Sequence, residues 1–195
     1  MGDEENTKSG ACVIIPWEAA EPRRFWSSLW ATTWWCLRRP LSFFAVVANC
    51  EDRWPAMSHA MVMHVVGFSC AAFWSLLLGR QPWELWLLRV ALAPLWVLVA
   101  VWAGSEMMHR WLSLFRGTSR SRSTTHRALA YCYCTVALGL VPVAGLWLSW
   151  IMAGVWQVMA MRQVHRAAWW KAVLAVVLTW APLLVLLVLA LLSPG

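Results

Sequence analysis

Hydrophobic positions in this chain come in long uncharged runs, separated by short stretches that hold most of its charge. The longest stretch without a charge, Ala128 to Met161, is two such runs meeting at Pro142–Val143–Ala144–Gly145. Uncharged segments of this length cannot be solvated as loops, and the pattern predicts a membrane-spanning helical hairpin. Pro142 and Gly145 break the helix where it would otherwise continue, which puts the turn at one face of the bilayer. By the same reading the chain holds five spans, roughly 56–78, 85–107, 127–141, 145–161 and 169–192. A polar loop, 112–125, separates the second from the third, and Thr124–Thr125 supplies the cap of the third.

Ahead of the spans lie two further segments. Residues 1–24 are polar and acidic and read as a disordered tail, with no apolar core of a signal peptide. Residues 25–55 read as a Trp-rich interfacial segment, ahead of a membrane domain over 56–195. Within it, 25–39 is too short to span. At about 100° per residue it places Phe25, Trp26, Leu29, Trp30, Trp34, Cys36 and Leu37 on one half of a helix. Ser27, Ser28, Ala31, Thr32, Arg38 and Arg39 fall on the other half, and Pro40 ends the helix. The expected fold is therefore all-α: a polytopic integral membrane bundle of five transmembrane helices behind an amphipathic interfacial helix.

Composition sharpens this picture. The chain is 61% hydrophobic and only 13% charged, too apolar for one soluble domain of 195 residues. Its net charge of +7 raises the question of nucleic acid, but the basic residues flank the apolar runs. That placement implies contact with anionic lipid headgroups, and no nucleic-acid partner is expected. Every Lys and Arg except Arg80 and Arg89 falls on one side of the five-span arrangement. The positive-inside rule then puts the N-terminus in the cytoplasm and the C-terminus outside. Trp26, Trp30, Trp34, Trp169 and Trp170 are the expected interfacial anchors. The six cysteines form no CxxC pair and read as small apolar fillers and free thiols.

The order of residues around the hairpin resembles the C-terminal half of bacterial Yip-domain membrane proteins, relatives of the eukaryotic Rab-interacting Yip family. It runs Ala130–Tyr131, Pro142–Val143–Ala144–Gly145, Trp150, Gly154, His165 and Lys171–Ala172. The early Pro16–Trp17–Glu18 and the Pro40, Phe43–Phe44 step are similar to the same family. The resemblance implies a bacterial cytoplasmic-membrane protein with a non-enzymatic scaffold or membrane-organising role, without cofactor. The alternative reading is a small transporter or channel subunit, although five spans cannot form two equal inverted halves.

Candidate chemistry is sparse. No phosphate-binding glycine loop, GxSxG elbow or HExxH is present. Arg89, one turn inside the second span, is expected to snorkel to the outer headgroups, and Glu106 and Arg110 have the spacing of a helix ion pair. His59 and His64, about 140° apart on one helix, cannot share a metal and read as satisfied polar residues. Glu106, His109 and His165 lie at one membrane level and are the candidates for a divalent metal, against the plainer reading of histidines that anchor helix ends. On the fourth span Gly145, Ser149, Ala153 and Gln157 recur every four residues, a face suited to close helix packing within the bundle or against a second copy or protein partner. Cys132, Thr135 and Gly139 offer a matching narrow face on the third.

Overall fold

The computed structural model describes residues 15–79, 83–142 and 144–192, and among them every regular element is helical. After a 3₁₀ turn at Pro22–Arg24 come α1 (Phe25–Arg38), α2 (Pro40–Val47), α3 (Trp54–Leu77) and α4 (Trp83–Leu114). Then follow α5 (Arg122–Cys132), a 3₁₀ segment (Tyr133–Leu140), α6 (Gly145–His165) and α7 (Trp169–Leu192). Prolines set several of these boundaries. Pro40 ends α1 and occupies the first turn of α2, where a missing N–H costs nothing, and Pro55 does the same for α3. Two helices among the described residues, α3 and α4, are long and apolar enough to cross a membrane.

The middle of the bundle is α5 and its 3₁₀ continuation, which touch α1, α3 and α6, with α2 and α4 against α5. This differs from the single 127–141 helix expected. Ser121, not Thr124–Thr125, caps α5: its Oγ receives the Thr124 N–H at 3.4 Å, so the helix begins five residues early. Every residue from Thr124 to Cys132 is buried, although the Ser- and Gly-rich composition just before suggested an exposed loop. Beyond Cys132 the chain tightens to 3₁₀, and here its neighbours approach closely. A Cβ on Gly67 of α3 would lie 2.1 Å from Val136 Cγ1, and one on Gly145 of α6 would lie 2.1 Å from the Leu138 carbonyl. At these glycines the backbones of neighbouring helices pack directly against the segment.

The N-terminal segments belong to the same core. Residues 15–24, the end of the expected tail, are docked: Ile15 is fully buried, and Trp17 packs edge-on against Phe25 and His59. The rest of that tail, 1–14, lies outside the described residues. In α1 the inward face is Ser28, Leu29, Thr32, Thr33 and Cys36, while Trp26, Trp30 and Trp34 point outward. The helix wheel had grouped Leu29 and Cys36 with those tryptophans; the bundle separates them, because Thr32 and Thr33 find hydrogen-bond partners inside. Phe43 and Phe44 of α2 are fully buried, Phe43 against Trp35 and Tyr131.

Around an apolar core that includes Phe43, Phe44, Met108 and Leu129, many polar side chains are buried and many large apolar ones are exposed. Inside lie His59, Ser105, Thr124, Thr125, Arg127, Thr135, Ser149, Gln157, His165 and Thr179. Outside lie Leu85, Leu88, Leu92, Leu95, Trp96 and Trp102 on α4, and Trp147, Trp150, Ile151 and Val155 on α6.

Candidate functional site

One group of interior polar side chains gathers where α5 meets the N-terminal segment. Arg127, 1% exposed, sits on α5 one turn before Tyr131. Its Nη2 donates to Glu18 Oε1 in an ion pair, and its Nη1 donates to the Asp52 carbonyl at 2.6 Å. The Tyr131 hydroxyl donates to the same Glu18 oxygen at 2.6 Å. Glu18 is held there by its neighbour. The Trp17 N–H donates to Thr32 Oγ1 at 2.9 Å, and its indole Nε1 donates to the Pro55 carbonyl at 2.8 Å and to Ser58 Oγ at 3.0 Å. A guanidinium cannot deprotonate on burial, so the ion pair and the carbonyl hydrogen bond are what make its position tolerable. Arg127 Nε alone is left without a partner. The sequence reading missed this network, taking Glu18 for tail and Arg127 for a cytoplasmic-side charge opening the third span; the local signal was an acid after Pro-Trp and a lone cation opening an uncharged run.

A second cluster lies at the ends of α4 and α6. The fold brings His109 and His165 together, with ring centroids 5.8 Å apart. Thr125 Oγ1 bridges them, 2.9 Å from His109 Nδ1 and 2.9 Å from His165 Nε2. The Ser119 N–H points at His165 Nδ1 at 3.4 Å and can only donate, so Nδ1 accepts and Nε2 carries the proton toward Thr125. Both nitrogens of His165 are thereby engaged, which leaves no lone pair for a metal. Burial first, then His109 and Arg120, pull its pKa down to about 4, so the ring is neutral at pH 7. Glu106 turns away to Arg122 at 3.5 Å and Arg110 at 3.9 Å. The three metal candidates thus divide into a histidine pair and an ion-pair cluster. Among the described residues no group of three or more His, Cys, Asp or Glu is arranged to hold a metal ion.

A third feature joins α4 to α5. Ser105 Oγ donates to the Trp102 carbonyl and lies 3.0 Å from His126 Nδ1. The Ser105–His126 contact joins α4 to α5 at this point. Burial and then Arg53 lower the His126 pKa, with Glu106 opposing.

The remaining expected positions are placed as follows. Gly145, Ser149 and Gln157 of α6 face the interior and Ala153 is half-buried; Gln157 Oε1 accepts the Trp180 indole N–H of α7 at 2.7 Å. Cys132, Thr135 and Gly139 are buried. His59 meets Trp17 edge-on and Tyr131 at a tilt, with its Nε2 at Thr33, and His64 packs on Tyr133. Arg89 is exposed over the Trp86 ring. Trp169 and Trp170 are exposed, under Arg162 and beside Lys171.

Comparison with protein-family models, with curated proteins and with solved structures finds no match to this chain.

Proposed function

We propose that the chain is a five-span integral membrane protein of Yip type, N-terminus in the cytoplasm, that organises membrane or holds a partner and does not catalyse a reaction. The observation that carries the membrane reading is the extent of exposed apolar surface beside polar groups turned inward. On α6, Trp147 and Ile151 are 75% and 66% exposed while Ser149 and Gln157 are 4% and 3% exposed. Apolar stripes repeated over several helices far exceed the patches a monomer shows to water. Lipid in place of water removes that difficulty, and α6 and α7, at 21 and 24 residues, are long enough by length for a ~30 Å hydrocarbon core. The Yip reading draws support from what its motifs do: Glu18 of the Pro-Trp-Glu step bonds Tyr131 of the Ala-Tyr step.

The test is topological and then biochemical. A periplasm-dependent reporter should be active when fused after Gly195 and silent when inserted between Arg116 and Arg122. The opposite pattern would reverse the orientation, and equal activity at both points would remove the odd number of crossings. A single protein captured with the solubilised chain in mild detergent supports the scaffold role; solute flux in proteoliposomes without such capture would move the reading to a transporter.

A further inference from the structure

A cavity of about 280 Å³ opens where the start of α3 faces α4. Met57, 2% exposed, and His126, 7% exposed, are its most buried lining residues. Leu98, Val99 and Trp102 of α4 line it with Trp54, and the charged residue among the lining is Arg53. Among the described residues no carboxylate pairs with Arg53; its guanidinium rests 5.7 Å from the Trp54 ring centroid. The nearby acids face elsewhere. Asp52 Oδ1 accepts the Trp54 N–H, and Glu106 faces Arg110 and Arg122. His126 is tied through Nδ1 to Ser105. What remains is an unpaired planar cation beside an apolar cleft.

We propose that this cleft holds one anionic phospholipid, its phosphodiester on the Arg53 fork and the upper part of one acyl chain along Met57, Leu98, Val99 and Trp102. The proposal rests on the membrane reading above, under which the Arg53 end of α3 lies in the cytoplasmic leaflet. The guanidinium presents parallel N–H donors matched to two phosphate oxygens. An inorganic phosphate would satisfy the same donors but leave the apolar walls against water; an acyl chain covers them. The volume lies just below the ~300 Å³ at which pockets enclose a whole small molecule, which fits a headgroup and the start of a chain with the rest in the bilayer. A zwitterionic lipid carries its own cation beside the phosphate and leaves Arg53 less compensated.

The experiment is native mass spectrometry of the full chain in mild detergent, titrated with phosphatidylglycerol or with phosphatidylcholine of the same chains. The parent should retain one phosphatidylglycerol preferentially. Arg53→Gln should weaken that first binding about tenfold, the loss of one charge-assisted contact. Val99→Phe, which fills the cleft without touching charge, should weaken it too, while Arg110→Gln should not. Both cleft variants are checked against the parent by melting without added lipid. Equal retention by parent and Arg53→Gln overturns the site; displacement of the bound lipid by millimolar inorganic phosphate reassigns it to the free anion. Extraction of membranes with alkaline carbonate separates the two layers of the argument. Release of the chain defeats the membrane reading itself, whereas a chain that stays in the membrane yet shows no lipid preference defeats only the cleft.

Discussion

Arg127 shows how much of the interior depends on one side chain. Its charge is buried, and Glu18, 109 positions earlier, is the carboxylate that compensates it. Removing one partner of such a pair leaves an uncompensated buried ion, at a cost of about 3–5 kcal/mol, whereas replacing both by apolar groups is often close to neutral. Glu18→Ala should therefore lower the melting temperature in detergent steeply, and Glu18→Leu combined with Arg127→Met should recover most of the loss. A Glu18→Ala protein that melts with the parent would show that the docked N-terminal segment does not contribute to stability. His165 sets a pH dependence. Its folded pKa of about 4 lies below the ordinary 6.5, so the unfolded chain takes up this proton first as pH falls. The contribution is complete above about pH 6.5, declines by at most about 1.4 kcal/mol per pH unit toward 4, and is constant below that. Melting at pH 7.5 and 5.0 should differ, and His165→Gln should shrink the difference; an identical shift in the variant would assign it to other groups.

At the scale of elements, the 3₁₀ segment Tyr133–Leu140 is the unusual piece. Runs of this kind rarely exceed four residues, and eight occur here, where α3 and α6 close on it at glycine. Gly139 reaches to 3.4 Å from the Gly67 carbonyl by the same criterion of an added Cβ. A methyl group at Gly145 would meet backbone, which cannot rotate aside, and one at Gly67 would meet the Val136 side chain and carbonyl. Gly145→Ala and Gly67→Ala should each destabilise the protein by about 1–3 kcal/mol through overpacking. Gly154, on the same helix as Gly145, has open space around it. Gly154→Ala should be neutral or raise stability by up to about 1 kcal/mol through helix propensity. Thermal melts of the three variants decide the matter, and a Gly154→Ala loss as large as that of Gly145→Ala would discard the close-approach account.

Across the whole molecule, many of the tryptophans lie on the outward surface. Trp26, Trp30, Trp34, Trp54, Trp96, Trp102, Trp147, Trp150, Trp169 and Trp170 are exposed, while Trp86 and Trp156 are buried. Under the proposed reading these outward rings meet headgroups and chains. Reconstitution into vesicles of brominated-chain lipid should quench most of the tryptophan emission relative to unbrominated vesicles. Emission unchanged by bromine would mean that the tryptophan surface faces water or another protein, and the membrane bundle would have to be abandoned.

The helices were legible in the sequence because their cause is local. Long uncharged runs must satisfy their backbone internally, and Pro40, Pro55 and Pro142 with Gly145 mark where the chain cannot continue a helix. Which face of each helix turns inward was not legible, because a helix apolar all round has no period to read. That choice fell to the contacts between helices: glycine opposite backbone at Gly67 and Gly145, and hydroxyls of α1 finding His59 and Trp17 inside. The Glu18–Arg127 pair and the His109–Thr125–His165 bridge join residues many turns apart, so no window of sequence contains them. Local composition by itself determined where the long apolar helices run; the early start of α5, its 3₁₀ continuation and the meeting of polar groups were decided by tertiary structure, since their partners are supplied by distant segments of the chain.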